Sequence, residues 1–468
     1  MVTLPRVAAV TAISALPRAD CSALDVDAAG VTAFVDAVEA SPDLELHSLM
    51  LLRHGQVAAE AWWAPYARDD ATLLYSLSKS FTATALGFAV AEGRLALGDR
   101  VVDLLAPTGP AGPRTRAMTV RDLAAMATGH HEDTLERARR LQPIEVAQGF
   151  LALEPEADPG SVFAYNNTAT YTLAAILQAL TDETLTEYLT PRLFAPLGVQ
   201  PGPWDQHPEG RDVGFAGLHL STEALARFGQ LYLDDGAWQG RQVLPEGWAE
   251  LATSRHTPTP AEPDPDWQQG YGFQFWRGRH GSVRGDGAFG QFCLLLPEQD
   301  AVLVLTAGTG NMQGVLDLVW THVLPAFDRP GGVEADARLA ERLTGLELRT
   351  DRRHELVELV SEQIDVGRVI DAPGGWQLTL TEQGQAYAVA VGRDGWIRTD
   401  LPLGTGRGLR AAARGLEVDG TLTAEVVLVE TPHRLQVVCG ADGSSVTWHP
   451  GPLFSPDRLL AGLATPRT

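Results

Sequence analysis

The 468-residue sequence predicts an α+β fold. It reads as an α/β sandwich whose antiparallel sheet is drawn from both ends of a first domain, with a helical region between them and a small antiparallel β-domain after it. Three observations carry this prediction. Strand-like apolar patterning appears at residues 46–63 and returns at 291–308, helical spacing with capping residues fills the interval, and short alternating segments separated by Gly-Asp turns follow FDRPGG.

Each element has its own signal. SLMLLRHGQVAAEAWW alternates around a His-Gly pair and reads as a β-hairpin. Apolar residues recur at helical spacing over about 77–92, with Gly93 placed as the C-terminal cap. Thr119 opens TVRDLAAMATG as a helix, with Asp122 as its capping-box partner and Gly129 as its end. Two further helices are expected at about 168–181, through TYTLAAILQAL, and at 222–235, behind Ser221 and stopping at Gly236. YGFQFW (271–276), QFCLLLP and AVLVLTAG read as strands, and LDLVWTHVLPAF as a closing helix. A boundary near FDRPGG divides the chain into domains 1–330 and 331–468. In the second, Arg/Glu-rich helical segments precede the strand-like runs WQLTLTEQ, YAVAVG, TAEVVLVE, RLQVVCG and SSVTWH.

Composition narrows the function classes. With 45% hydrophobic and 20% charged residues the chain can bury a large core, and its formal charge of −23 argues against nucleic-acid or anionic-membrane partners. Cys21, Cys293 and Cys439 are far apart and odd in number, so neither a disulfide framework nor a metal site is indicated and a reducing compartment is the simpler reading. The stretch MVTLPRVAAVTAISALPRADC makes a poor secretory signal, and no run approaches the roughly 18 apolar residues of a membrane span. A soluble, cytoplasmic protein is expected.

Of the 36 basic side chains, Lys79 is the only lysine. Ser76 and Lys79 in LLYSLSKSFT are three apart and share a helix face, with Ser76 at the positive helix end. A serine hydroxyl is a weak nucleophile until a base takes its proton. An amine of lowered pKa can be that base, whereas a guanidinium cannot. SxxK alone is commonly a solvated helix face, but a chain with a single lysine singles this one out.

Two further stretches fit the same chemistry. PGSVFAYNNTATYTL places Tyr165 and Asn167 just before a helix. A tyrosine hydroxyl can pass a proton, and an asparagine amide can orient a lysine and hold a substrate carbonyl. The same residues also read as a helix start capped by Asn166 or Asn167, with Tyr165 as a core aromatic. In RHGSVRGDGAFGQFCLLLP a glycine-rich edge would let a substrate approach the backbone, where free N–H groups can complete an oxyanion hole; alone it is an ordinary bulged hairpin. His130 and His131 read as helix-end or surface residues rather than metal ligands, and Trp267 and Tyr271 could line a pocket.

Together these pieces resemble the serine β-lactamase and penicillin-binding superfamily, in its class C-like branch of esterases, D-aminopeptidases and related hydrolases, over about residues 40–328. The resemblance rests on YSLSKSFTATALG, on FAYNN and on the stretch from DWQQGYGFQFW to DGAFGQ; TVRDLAAMATGH is similar to the family's segment between its first two motifs. It implies a β-lactamase/transpeptidase-like fold, acylation of Ser76, general acid/base duty shared by Lys79 and Tyr165, and substrate binding by Asn167. One oxyanion donor would be the N–H of Ser76 and the other would come from Gly285 to Ala288, so Gly287 and Ala288 would lie against the substrate. The family's third motif is Lys-Thr-Gly, or His-x-Gly in esterases, and this chain has no second lysine. His280, Arg284 and Asp286 are the candidates for that position. Arg284 could take a substrate carboxylate in bidentate fashion, whereas Asp286 would repel one.

The departure shifts the expectation from β-lactamase or transpeptidase to a carboxylesterase-like enzyme acting on a small-molecule ester or amide. No cofactor and no metal are expected, and the oligomeric state stays open. Two alternatives remain: a ligand-binding or sensor protein without turnover, and a D-amino-acid peptidase or β-lactamase. The tail resembles the β-rich appendage of some of these hydrolases.

Overall fold

The computed structural model describes residues 15–329, 331–349, 359–404, 406–453 and 459–466. Most of the N-terminal stretch weighed as a secretory signal, and the Arg/Glu-rich residues 350–358, lie outside them.

The first sheet is antiparallel and six-stranded. Its strands are β1 (Leu46–Arg53), β2 (Gln56–Trp62), β3 (Trp276–Arg277), β4 (Val283–Gly287), β5 (Gln291–Leu296) and β6 (Ala301–Ala307), in the order β2-β1-β6-β5-β4-β3. The chain's early hairpin thus pairs with its late one, Leu51 facing Leu303. Both faces are covered, which is why LHSLMLLR in β1 is almost continuously apolar. Met50 and Leu52 enter the core under the helical region, while Leu49 and Leu51 enter a second core formed with α1 (Ala28–Ala40) and the winding Met312–Ala326.

The helical region contains α2 (Ser78–Ala91), α3 (Val120–Ala124), α4 (Asn167–Thr181) and α5 (Thr222–Leu233). Capping chemistry sets their ends. Beyond α2, Gly93 (φ +69°) donates to Val90 O and Arg94 to Ala89 O, a Schellman arrangement. Thr119 and Asp122 form the reciprocal capping box at α3, and Ser221 caps α5. α3 is shorter than expected. Met126 turns left-handed at φ +55°, so the helix ends well before Gly129. His130, expected at a helix end or the surface, is buried between Thr128 Oγ1 and Leu153 O.

YGFQFW does not form a strand before Trp276. Gln274 adopts φ +62° and its buried amide bridges Ala124 O (2.8 Å) and Thr170 Oγ1 (2.6 Å), so tertiary hydrogen bonds replace the ladder. α2 is buried nearly all round, and its polar residues are satisfied there: Ser80 donates to Gln274 O and Thr82 to Gly214 O.

After the winding Met312–Ala326, which holds α6 (Met312–Leu318), comes α7 (Val333–Leu343), whose Leu339 joins the second core. The second sheet has ten strands: β7 (Leu359–Val360), β8 (Ile364–Ala372), β9 (Gly375–Glu382), β10 (Gln385–Gly392), β11 (Ile397–Pro402), β12 (Arg407–Val418), β13 (Thr421–Leu428), β14 (Arg434–Gly440), β15 (Gly443–His449) and β16 (Thr465–Pro466). All of its pairings are antiparallel among the described residues except β10 with β12, where Val391 faces Ala413 in parallel. This sheet docks on the elements around the first sheet. Ala412, Val427 and Val429 join the second core, while Ala411, Ala413, Val426 and Leu428 face the sheet's own interior. Arg398 reaches Asp70 at 2.6 Å and Arg434 reaches Glu45 at 3.2 Å across the junction. Among the described residues no helix is long and apolar enough to cross a membrane.

Candidate active site

Ser76 lies in a tight 3₁₀ turn, Tyr75–Leu77, that runs directly into α2. The sequence places it at the start of the helix, at its positive end. The tightened turn preserves the spacing that matters, since Lys79 Nζ lies 2.9 Å from Ser76 Oγ. Lys79 is 1% exposed and also donates to Asn167 Oδ1 (2.8 Å) and Phe215 O (3.0 Å). Those two oxygens can only accept. A neutral amine therefore spends both of its N–H groups on them and turns its lone pair to the Ser76 hydroxyl. Burial pulls the Lys79 pKa down to about 7, against the opposing pull of Asp133 and Asp286.

Asn167 is the first residue of α4, behind the cap Asn166. Its Nδ2 donates to Asp133 Oδ2 at 2.7 Å and its backbone N–H to Asp133 Oδ1 at 3.1 Å. Asp133 thereby fixes which side of the amide faces Lys79. No motif pointed to Asp133. The signal that could have found it is chemical: an amide oriented toward an amine needs an acceptor on its nitrogen side.

The Tyr165 ring stacks on Trp276 with centroids 5.5 Å apart, meets Tyr271 edge-on, and lies 4.7 Å from Lys79 Nζ. Burial and then the charge of Asp286 push its phenol well above the usual range, while a hydrogen bond with Ser76 acts the other way. Tyr165 is thus a neutral hydroxyl beside the serine. Tyr271, expected at a pocket wall, is fully buried behind Tyr165.

β4 passes directly over the serine turn. A methyl group built on Gly287 would overlap the carbonyl oxygen of Leu74, so only glycine lets the strand lie this close. A cavity of about 530 Å³ opens beside it, lined by Ser76, Tyr165, Trp267, Trp276, Asp286 and the Gly287-Ala288 backbone. Glu262 and Asp264 complete an acidic wall. Burial raises the Asp286 carboxyl despite Arg284 and Lys79, and burial together with Asp264 and Asp286 raises Glu262.

The candidates for the third-motif position separate. Asp286 faces the cavity. Arg284, expected within reach of a substrate carboxylate, is fully buried: Nε donates to Asp286 Oδ2 at 3.0 Å, Nη1 to Asp266 O at 3.1 Å, and the guanidinium lies 4.4 Å from the Trp267 ring centroid. His280 sits in the turn between β3 and β4, beside Trp320. Among the described residues no group of three His, Cys, Asp or Glu side chains could hold a metal ion.

The chain is similar to known proteins. Over 296 residues the chain is 28% identical to the 6-aminohexanoate-dimer hydrolase of Paenarthrobacter ureafaciens, covering 56% of this chain and 74% of that protein. It is 27% identical over 273 residues to penicillin-binding protein 4 of Amycolatopsis lactamdurans, covering 50% and 71%. The octameric penicillin-binding protein homologue from Pyrococcus abyssi aligns over 90% of this chain and all of its own, with a TM-score of 0.54 and 17% identity, a likeness of fold. The Beta-lactamase family profile matches residues 34–317, more than half of the chain and every residue from Ser76 to Ala288, and the protein belongs to that family.

Proposed function

We propose that the protein is a serine hydrolase that cleaves an ester or amide, carboxylesterase-like, through an acyl-enzyme on Ser76. The observation that carries this reading is the buried Lys79 amine, 2.9 Å from Ser76 Oγ and with a pKa of about 7, a base competent at neutral pH. Lys79 takes the hydroxyl proton as Ser76 Oγ attacks the substrate carbonyl carbon. The backbone N–H groups of Ser76 and Ala288 receive the oxyanion. The proton passes through Tyr165 to the leaving alcohol or amine, whose bond to the carbonyl carbon breaks. Water then attacks the carbonyl carbon of the ester on Ser76 and gives a proton to the same pair, which returns it to Ser76 Oγ as the bond from Oγ to the carbonyl carbon breaks and the acid is released. Asn167 holds Lys79 with its oxygen; one amide hydrogen is taken by Asp133 and the other is left for substrate. The first domain carries this chemistry, within residues 1–330.

Asp286 in place of a cation disfavours substrates that present a carboxylate there, so β-lactamase and transpeptidase activity would be weak or absent. The relative named for hydrolysis of the 6-aminohexanoate dimer supports a hydrolase. The acidic wall of Glu262, Asp264 and Asp286 favours one second reading, a peptidase for amides with a free ammonium group, such as D-amino-acid amides.

A fluorophosphonate probe followed by intact-protein mass spectrometry is expected to show one adduct that Ser76→Ala abolishes. An unmodified wild type would exclude the acyl-enzyme. Parallel assays with a short-chain nitrophenyl ester, a D-alanyl amide and a chromogenic cephalosporin rank the substrate classes. Ligand retention with no turnover in any of them would instead establish a binding protein.

A further inference from the structure

The C-terminal domain reaches the residue that precedes the nucleophile. His433, buried just before β14, places Nε2 2.6 Å from Tyr75 Oη and Nδ1 2.8 Å from the Pro450 carbonyl oxygen. A carbonyl only accepts, so Nδ1 carries the proton and Nε2 accepts from the Tyr75 hydroxyl. Phe289 closes the cluster, with edge-on contacts to Tyr75 and to His433 at centroid distances of 5.4 Å each.

The backbone gives this cluster its meaning. Tyr75 (φ +48°) and Phe289 (φ +66°) both occupy the left-handed region, which aromatic residues seldom enter and hold only where their surroundings over-determine it. Tyr75 immediately precedes Ser76, and Phe289 immediately follows Ala288. These neighbours carry the two N–H groups to which the proposed mechanism assigns the oxyanion. The segment leading to Tyr75 is held from the same side: Leu73 N donates to Glu430 O at 2.9 Å, and Tyr66 Oη to Thr431 O at 3.1 Å.

We infer that His433 is a positioning residue, which through Tyr75 and Phe289 fixes the two backbone amides of the oxyanion hole, so that the second domain completes the active site of the first. The inference rests on the acyl-enzyme reading above. Burial lowers the His433 pKa to about 3, so the ring stays a neutral acceptor over the range in which Lys79 titrates.

The test compares Tyr75→Phe, His433→Leu, the double variant and His433→Gln in full-length protein. The side-chain amide of the last can accept from Tyr75 and donate to Pro450 O. Turnover of a nitrophenyl ester is normalised to sites titrated with fluorophosphonate, with circular dichroism checking the fold. His433→Leu and Tyr75→Phe are expected to lower kcat about 10- to 100-fold, as misplaced oxyanion donors do. KM should stay within about twofold, the double variant should be no worse than the worse single, and His433→Gln should recover most of the rate. The acid limb of the pH profile should not move, because none of these changes touches Lys79. Should His433→Leu fail to fold, Tyr75→Phe, which deletes one hydroxyl, decides alone. Wild-type kcat per titrated site in folded variants, or His433→Gln as poor as His433→Leu, overturns the inference while the acyl-enzyme stands. A wild type that is not acylated at Ser76 removes both.

Discussion

At the scale of single residues, the proposed chemistry depends on one amine losing its proton. If Lys79 is the base, it acts when neutral, so kcat/KM is expected to rise with pH through about 7, which a stopped or continuous ester assay between pH 5 and 9 checks. The same shift has a folding consequence of definite sign. The unfolded chain binds the Lys79 proton up to about 10.5, so the group costs stability below about pH 7 and the cost fades between these values. Lys79→Arg keeps a cation that cannot deprotonate and is expected to lose at least about 10³-fold in rate while still folding. Asp133→Asn removes a negative charge that raises the Lys79 pKa, so the acid limb should move to lower pH, with a lower kcat because Asn167 loses its orienting acceptor. Ser76 and Lys79 were legible because three positions on one helix turn are neighbours whatever the rest of the fold does. Asp133 was not, since it meets Asn167 only after α4 is packed. Arg284 was misjudged for a related reason: which face of β4 it points to follows from register, and register is set by the partner strands.

Elements show the same division between local and distant causes. Thr119, Ser221 and Gly93 mark helix ends through hydrogen bonds that close within a few residues, and the structure uses each of them. Gln274 defeats the strand expected at YGFQFW because its partners, Ala124 and Thr170, are far away in sequence. β12 carries no strand signal in its sequence because RGLRAAARGLEV is poor in β-branched and aromatic residues. Its alanines have a reason. Ala412 faces one core and its neighbours Ala411 and Ala413 another, so at these positions the strand is packed on both faces and carries small side chains. The approach of β4 to the serine turn is the element-level feature on which the proposed oxyanion site depends. Gly287→Ala sets a methyl against the Leu74 carbonyl and is expected to cost about 1–3 kcal/mol of stability by overpacking. It should also slow fluorophosphonate labelling of Ser76 in whatever protein remains folded, since strand and turn can no longer touch. Urea titration and labelling rate check the two parts separately.

Across the whole molecule the two sheets share an interior, so the tail is a structural partner of the part that holds the candidate site. Its strand-rich character was readable from alternation in WQLTLTEQ and RLQVVCG; its docking was not, because Val427 and Val429 read as ordinary strand residues until their neighbours across the junction are known. Arg398→Ala leaves the buried Asp70 carboxylate with the Ala67 N–H and, at 3.9 Å, Arg410. The expected cost is about 1–3 kcal/mol. Activity and far-ultraviolet signal should then fall together in a single urea transition at lower midpoint, whereas separate transitions would show that the halves unfold independently. The burial of the lone lysine also reaches beyond catalysis. A lysine-specific endoprotease has one scissile peptide in the chain, Lys79–Ser80, inside the enclosed helix α2. Each molecule it cleaves has first opened at the candidate site, so the appearance of a single pair of fragments counts the excursions in which that site comes apart.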